Sequence, residues 1–195
     1  MERRLEIPAA RAQSNELELD LLRRTQAQDR DAFQELYKIY HRRLARFLTR
    51  MTRHYELAEE VINDTMWVVW QRAGDFRGSS QVSTWIMGIA YRRALKSLRR
   101  ANLHLQTADD AIEQEDSDAG VAIDHADRAQ LVTRALAQLP LEQRLVVEFT
   151  YYLGYSGADI AQIMDCPVNT VKTRMFHARR KLRLLLPELS GAEET

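Results

Sequence analysis

The chain has 195 residues, room for one large domain or two small ones, and its 45% hydrophobic content permits a buried core and excludes wholesale disorder. Only 7 glycines and 4 prolines interrupt a composition rich in strong helix formers, so helix is favoured throughout. The formal net charge is zero, which excludes a uniformly basic nucleic-acid binder but leaves open one whose charges are sorted into blocks.

Residues 1–15 read as a disordered tail; Arg3, Arg4 and Arg11 are not followed by the apolar stretch of a signal peptide. From Glu16 to Arg53 apolar residues recur at helical spacing: Leu17, Leu21 and Leu22, then Phe33, Leu36, Tyr37, Tyr40, Leu44, Phe47, Leu48 and Met51. Leu57 to Ala73 predicts another helix, Asp75–Gln81 with Gly78, Ser79 and Ser80 a break, and Val82 to Arg100 a further helix. Residues 16–103 thus form one helical domain. It is locally basic, because twelve Lys or Arg residues between Arg42 and Arg100 face only five acids.

Residues 104–126 lack a sustained apolar period, and from Asp109 to Asp127 the chain holds eight acids and no Lys or Arg, which predicts a flexible acidic linker. Helical periodicity returns at Asp127–Leu139, Pro140 breaks it, and Leu141–Leu153, Ser156–Met164 and Val168–Leu186 complete a second domain over residues 127–187. Residues 188–195 read as a tail. The expected fold class is all-α: two small helical domains, the second a helix-turn-helix, joined by the acidic linker.

Ser156-Gly157-Ala158-Asp159 is a capping-box variant, in which a serine oxygen and an acid three residues on satisfy a helix start. The short turn Asp165-Cys166-Pro167 leads into a helix with six basic residues and no acid between Lys172 and Arg183. Two helices joined by a tight turn, the second basic, describe a helix-turn-helix. On the second helix Val171, Met175, Ala178, Leu182 and Leu185 make the core stripe. Asn169, Thr173, Phe176, His177 and Arg180 fall opposite, flanked by Lys172, Arg174 and Arg183: cations for phosphates beside groups that can reach base edges. A solvated basic face on an ordinary amphipathic helix is the plainer reading; the capped helix and turn in front of it favour DNA.

In the helix around Ala58–Arg72, Ala58, Val61, Ile62, Thr65 and Val69 make a buried stripe, and Glu60, Asn63, Asp64, Trp67, Trp70 and Gln71 lie on the other side. A tryptophan ringed by acids and amides is either an interaction hot spot or packing against a neighbouring helix. Cys166, the one cysteine, excludes an intramolecular disulfide and reads as a buried structural thiol. The five histidines show no metal-ligand spacing, so neither metal nor cofactor is expected. No apolar run is long enough to cross a bilayer, and a cytoplasmic protein without direct membrane insertion is expected.

The run Ala58-Glu59-Glu60-Val61-Ile62-Asn63-Asp64-Thr65, then Trp70, Asp75-Phe76-Arg77-Gly78-Ser79-Ser80 and Ser83-Thr84-Trp85-Ile86, resembles region two of the extracytoplasmic-function sigma factors of bacterial RNA polymerase. Leu139-Pro140, Arg144, Tyr155-Ser156, Ile160 to Val168, Thr170 to Arg174 and Ala178-Arg179 resemble their region four. The resemblance runs over roughly residues 20–186, in the family's order.

It implies that Glu60, Asn63, Asp64, Trp67 and Gln71 dock on the largest subunits of core RNA polymerase. Phe76, Arg77, Ser80, Trp85, Tyr91, Arg92, Arg93 and Lys96 would hold the −10 element, with a base flipped into the loop Phe76–Gln81. Asn169, Thr170, Lys172, Thr173, Arg174, Phe176, His177 and Arg180 would read the −35 element. The linker would thread the polymerase's basic channel, and an anti-sigma factor would control the chain. Family members often carry Asn and Asp where this chain has Arg92 and Lys96, a change that favours backbone over base contacts.

A response-regulator-like activator would need an α/β receiver, for which residues 16–100 show no alternating strands. An enzyme acting on nucleic acid would need clustered carboxylates in a folded region, whereas the acids here fall in the linker. A purely structural adaptor does not account for two basic surfaces. The expected partners are core polymerase, promoter DNA and an anti-sigma factor, with no small-molecule substrate and no enzymatic activity.

Overall fold

The computed structural model describes residues 6–107 and 131–186; what the sequence leads one to expect of residues 1–5, 108–130 and 187–195 lies outside the described residues. Every regular element among the described residues is helical, with no strand. Among the described residues the chain divides into two compact units, one of residues 6–107 together with 162–165 and the other of residues 131–161 and 166–186.

The first unit consists of α1 (Glu6–Gln26), α2 (Arg30–Thr52), α3 (Tyr55–Arg72), a 3-10 turn (Ala73–Asp75) and α4 (Val82–Thr107). Helix α1 starts at Glu6, well ahead of the expected start at Glu16. Pro8 falls in its first turn, where a missing N–H leaves no intrahelical bond unmade, and Ala9, Ala10, Arg11, Ala12 and Gln13 are all good helix formers. The helix stops where Gln28 takes a left-handed backbone (φ 65°). Asp29 then caps α2 by accepting from the backbone N–H groups of Asp31 (3.0 Å) and Ala32 (3.1 Å). Arg24, in the last turn of α1, donates twice to Asp29 Oδ2, so the hinge between the helices is tied on both sides.

Helices α2, α3 and α4 pack against one another, and α1 against α2 and α4. Of the apolar residues read on α2, Leu36, Tyr40, Leu44, Phe47, Leu48 and Met51 are buried, while Phe33 and Tyr37 are half-buried. On α3 the expected stripe is buried too, with Met66 added to it. Each fully buried side chain of this size contributes about 1.5–3 kcal/mol. Inside this apolar core sits one carboxylate. Glu18 of α1 is 3% exposed; its Oε2 accepts from the Tyr40 hydroxyl at 2.5 Å, and its Oε1 accepts from Arg43 Nη1 at 2.7 Å and Ser14 Oγ at 3.1 Å. Partnered so fully, the charge locks α1 to α2.

The second unit holds a helix at residues 131–137 (α5), α6 (Leu141–Tyr151), the first five residues of α7 (Gly157–Met164) and α8 (Val168–Leu185). Leu136, Leu139, Val147 and Ala178 form a cluster, with Val132, Met175 and Leu182 against it, so α8 packs on α6 through the stripe read from its sequence. The capping box at α7 is complete: Asp159 N–H donates to Ser156 Oγ (3.2 Å), and Ser156 N–H donates to Asp159 Oδ2 (3.1 Å). The turn after α7 is made by Asp165 with φ 50°, a conformation that a short polar side chain tolerates.

Candidate nucleic-acid interface

Helix α3 divides cleanly between its buried stripe and an opposite exposed one. Glu60, Asn63, Asp64, Trp67 and Gln71 are all exposed and recur at three- and four-residue steps, which puts them on one face. Trp67 is 57% exposed in the middle of it. Of the two alternatives for the tryptophans, Trp70 takes packing: it is half-buried, its ring 5.0 Å edge-on to that of Phe33, so it belongs to the α2–α3 contact. Two residues of the face are oriented by neighbours. The Tyr37 hydroxyl donates to Asn63 Oδ1 (3.0 Å), and Arg93 Nη1 donates to Asp64 Oδ2 (3.2 Å). Burial, and secondarily the Glu59 carboxylate, pushes the Tyr37 phenol above its usual pKa, which keeps it a donor.

After the 3-10 turn, residues 76–81 lead into α4. Gly78 takes φ 70°, a left-handed backbone that glycine adopts without a Cβ penalty. Phe76 meets Trp85 edge-to-face at 5.6 Å, so both aromatics are fixed. Beside them lies a cleft of about 260 Å³, lined by Phe76, Arg77 and Gly78 from the loop and by Leu19, Leu22, Arg23 and Gln26 from α1. The α1 lining is a part of the site that local sequence patterns do not show, because it joins residues some fifty positions apart along the chain. Helix α1 also reaches the start of α4, where Asn15 Oδ1 accepts from the Val82 N–H at 3.4 Å.

Along α4, Arg92, Lys96, Arg99 and Arg100 are exposed, and Arg93 is half-buried against Asp64. Tyr91 corrects the sequence reading. It is 5% exposed and belongs to the core, since on a helix it lies a quarter-turn from Arg92 and on the same side as Met87 and Ala94. It is unavailable for stacking on a base. Ser80 is half-buried and donates to the Gln81 carbonyl at 3.3 Å.

On α8, Asn169, Lys172, Thr173, Phe176, His177 and Arg180 are exposed on the side away from the Val171–Ala178 stripe. Phe176 is 63% exposed, its ring edge-on to that of His177. Thr170 is half-buried. Arg174 differs from the other predicted −35 residues: it is turned inward, donating to Glu142 on α6 and to Cys166 Sγ. Cys166 is half-buried, not fully buried, because it sits in the turn before α8. Arg179 and Lys181 also make bonds to the rest of the unit, at its surface, Arg179 donating to the Tyr151 hydroxyl (2.7 Å) and Lys181 to the Gln138 carbonyl (2.6 Å).

The arrangement holds oriented acids and amides around a tryptophan on α3, cations and paired aromatics at the start of α4, and a mixed polar and basic face on α8. Such surfaces bind by contact and charge. Among the described residues no three His, Cys, Asp or Glu side chains converge as a metal site, and no helix is long and apolar enough to cross a membrane.

Comparison with known proteins covers both units. Residues 36–103 match the model of Sigma-70 region 2, and residues 129–182 match that of Sigma-70, region 4. The chain is 36% identical over 172 residues to the ECF RNA polymerase sigma factor SigM of Mycobacterium tuberculosis, an alignment covering 88% of this chain and 85% of that one. It is 30% identical over 187 residues to the RNA polymerase sigma-H factor of Pseudomonas aeruginosa, covering 90% and 97%. In fold it is similar to the sigma factor RpoE of Bartonella quintana, solved in complex with the anti-sigma factor NepR: TM-score 0.68 at 24% identity, over 82% of this chain and 98% of that one.

Proposed function

The chain belongs to the extracytoplasmic-function sigma factors, proteins that direct RNA polymerase to promoters, and from that membership we propose how its surfaces divide the work. Residues 16–103 act as the domain that binds core polymerase and the −10 element, residues 127–187 as the −35-binding domain, and residues 104–126 as the acidic linker between them. The exposed α3 face with Trp67 docks on the polymerase's largest subunits. The loop at 76–81 receives a flipped base in the cleft it shares with α1, and the cations of α4 hold the adjoining strand. The exposed face of α8 reads the major groove.

The observation that carries this division is the five-residue stripe on α3. Glu60, Asn63, Asp64, Trp67 and Gln71 are all exposed on one side of a helix whose other side is fully packed, which makes them a contact surface and not a core. The chain works as a binding factor and not as an enzyme, in the cytoplasm where its polymerase is. An anti-sigma factor covers its exposed faces, as one accompanies the sigma factor it resembles in fold. Reconstitution tests the whole: purified chain plus bacterial core polymerase should give promoter-specific transcripts where core alone gives none. Failure to bind core polymerase in a pull-down refutes it.

A further inference from the structure

Arg174 flanks the reading side of α8 by sequence, and its side chain is only 20% exposed, turned towards the unit and not towards the exposed Thr173 and Phe176. Its Nη2 donates to the carboxylate of Glu142, in the first turn of α6, and its Nη1 donates to Cys166 Sγ at 3.4 Å, in the turn that leads into α8. A guanidinium is a planar fork with donors fixed in direction, so one that is 20% exposed and aimed at two internal acceptors is turned away from a phosphate. Arg179 and Lys181 make similar ties lower on the helix. Three ties at successive heights hold α8 against α6 and against Gln138 in the turn before it, and that of Arg174 lies nearest the end of α8 that would enter the groove.

We propose that Glu142 and Arg174 form a positioning clamp that fixes the angle of α8 against DNA, and that Arg174 is not itself a phosphate ligand. The inference rests on the reading of α8 as the −35 helix. It makes Glu142, an acid on a DNA-binding domain, a residue that strengthens DNA binding. A plain electrostatic account predicts the opposite sign, since removing an acid should raise affinity for a polyanion.

That difference of sign is the test. The full chain in complex with core polymerase is measured on a promoter duplex that the wild type selects from a randomised library. Glu142→Gln, Arg174→Ala, their combination and Asp165→Asn are compared. Asp165→Asn removes an exposed acid nearby in a backbone conformation that Asn also accepts, so it reports the effect of charge alone. Glu142 is 58% exposed, and its replacement by an isosteric amide leaves the core untouched.

The clamp predicts that Glu142→Gln binds several-fold more weakly than Asp165→Asn. It predicts that the double variant is no weaker than the worse single one, and that Arg174→Ala leaves the slope of log affinity against log salt unchanged. The clamp is overturned if Glu142→Gln binds as tightly as Asp165→Asn, or if Arg174→Ala reduces the slope by the ~0.9 expected for one lost phosphate contact. Should the wild type select no −35 sequence, it is the reading of α8 that fails. Thermal melts of the same four proteins then decide the clamp, since additive losses for Glu142→Gln and Arg174→Ala overturn it and coupled losses sustain it.

Discussion

Trp67 and Trp70 sit three residues apart on α3, and the structure separates their fates. Trp70 lies edge-on to Phe33, whereas Trp67 stands 57% exposed among Asn63, Asp64 and Gln71. Changing Trp67 to Ala should therefore leave the melting temperature near that of wild type. It should weaken core polymerase binding by tenfold or more, roughly 1.4 kcal/mol or above, as a central aromatic anchor does; titration with labelled core measures it. Asp29 gives a residue-scale prediction in pH. The Ala32 N–H first, and Arg24 second, hold its carboxyl below the ordinary value of 3.8. A depressed folded pKa means stability that is present above 3.8 and lost as pH falls through the lower folded value. Melts in acid should show a loss in the wild type that is smaller in Asp29→Asn, and an identical acid profile would remove Asp29 from the linkage. Single residues were only partly legible in sequence. The exposed α3 stripe followed from period alone, while the inward turn of Arg174 depends on Glu142 and Cys166 being near it, which no local pattern records.

Elements were more legible, because amphipathic period is set by packing. Most of the α2 stripe was readable, and the α8 stripe faces its unit with Val171 and Ala178 buried and Met175, Leu182 and Leu185 half-buried, while the Ser156–Asp159 box marked the start of α7. What escaped was the first half of α1, where small and polar residues give no stripe to read, and the burial of Tyr91, a residue type equally at home beside cations and in a core. The α6–α8 contact is close at Ala178, which is fully buried beside Leu136, Leu139 and Val147. Ala178→Leu should overpack it at a cost of about 1–3 kcal/mol. The same change should weaken −35 binding by displacing α8 while leaving core polymerase binding intact. Stability by urea titration and affinity for core and for promoter measured separately would show whether the two effects part in this way.

At the scale of the whole molecule, the zero formal charge hides a division into blocks of opposite sign. DNA responds to the local field and not to the sum, so affinity of the sigma–polymerase complex for promoter DNA should fall steeply with salt. Arg180→Ala should lower the log–log slope by about 0.9 if that exposed guanidinium meets a phosphate. An unaltered slope would mean that it does not. The fold class was legible because both domains are helical bundles written in local period. The assembly of α1 onto α2 was legible only in part: Leu21 and Leu22 are buried as their spacing suggests, but Glu18, a single acid among them, is buried where an apolar residue would have been expected. That placement has a consequence in time as well as in space. Opening α1 alone would strip Glu18 of Tyr40, and of Arg43, and leave both facing an emptied site. The second half of α1 and the middle of α2 should therefore exchange their amide hydrogens with solvent at one shared free energy, as a single cooperative unit. In Glu18→Ala the amides of α1 should become the faster-exchanging set, released from the rhythm of their neighbour.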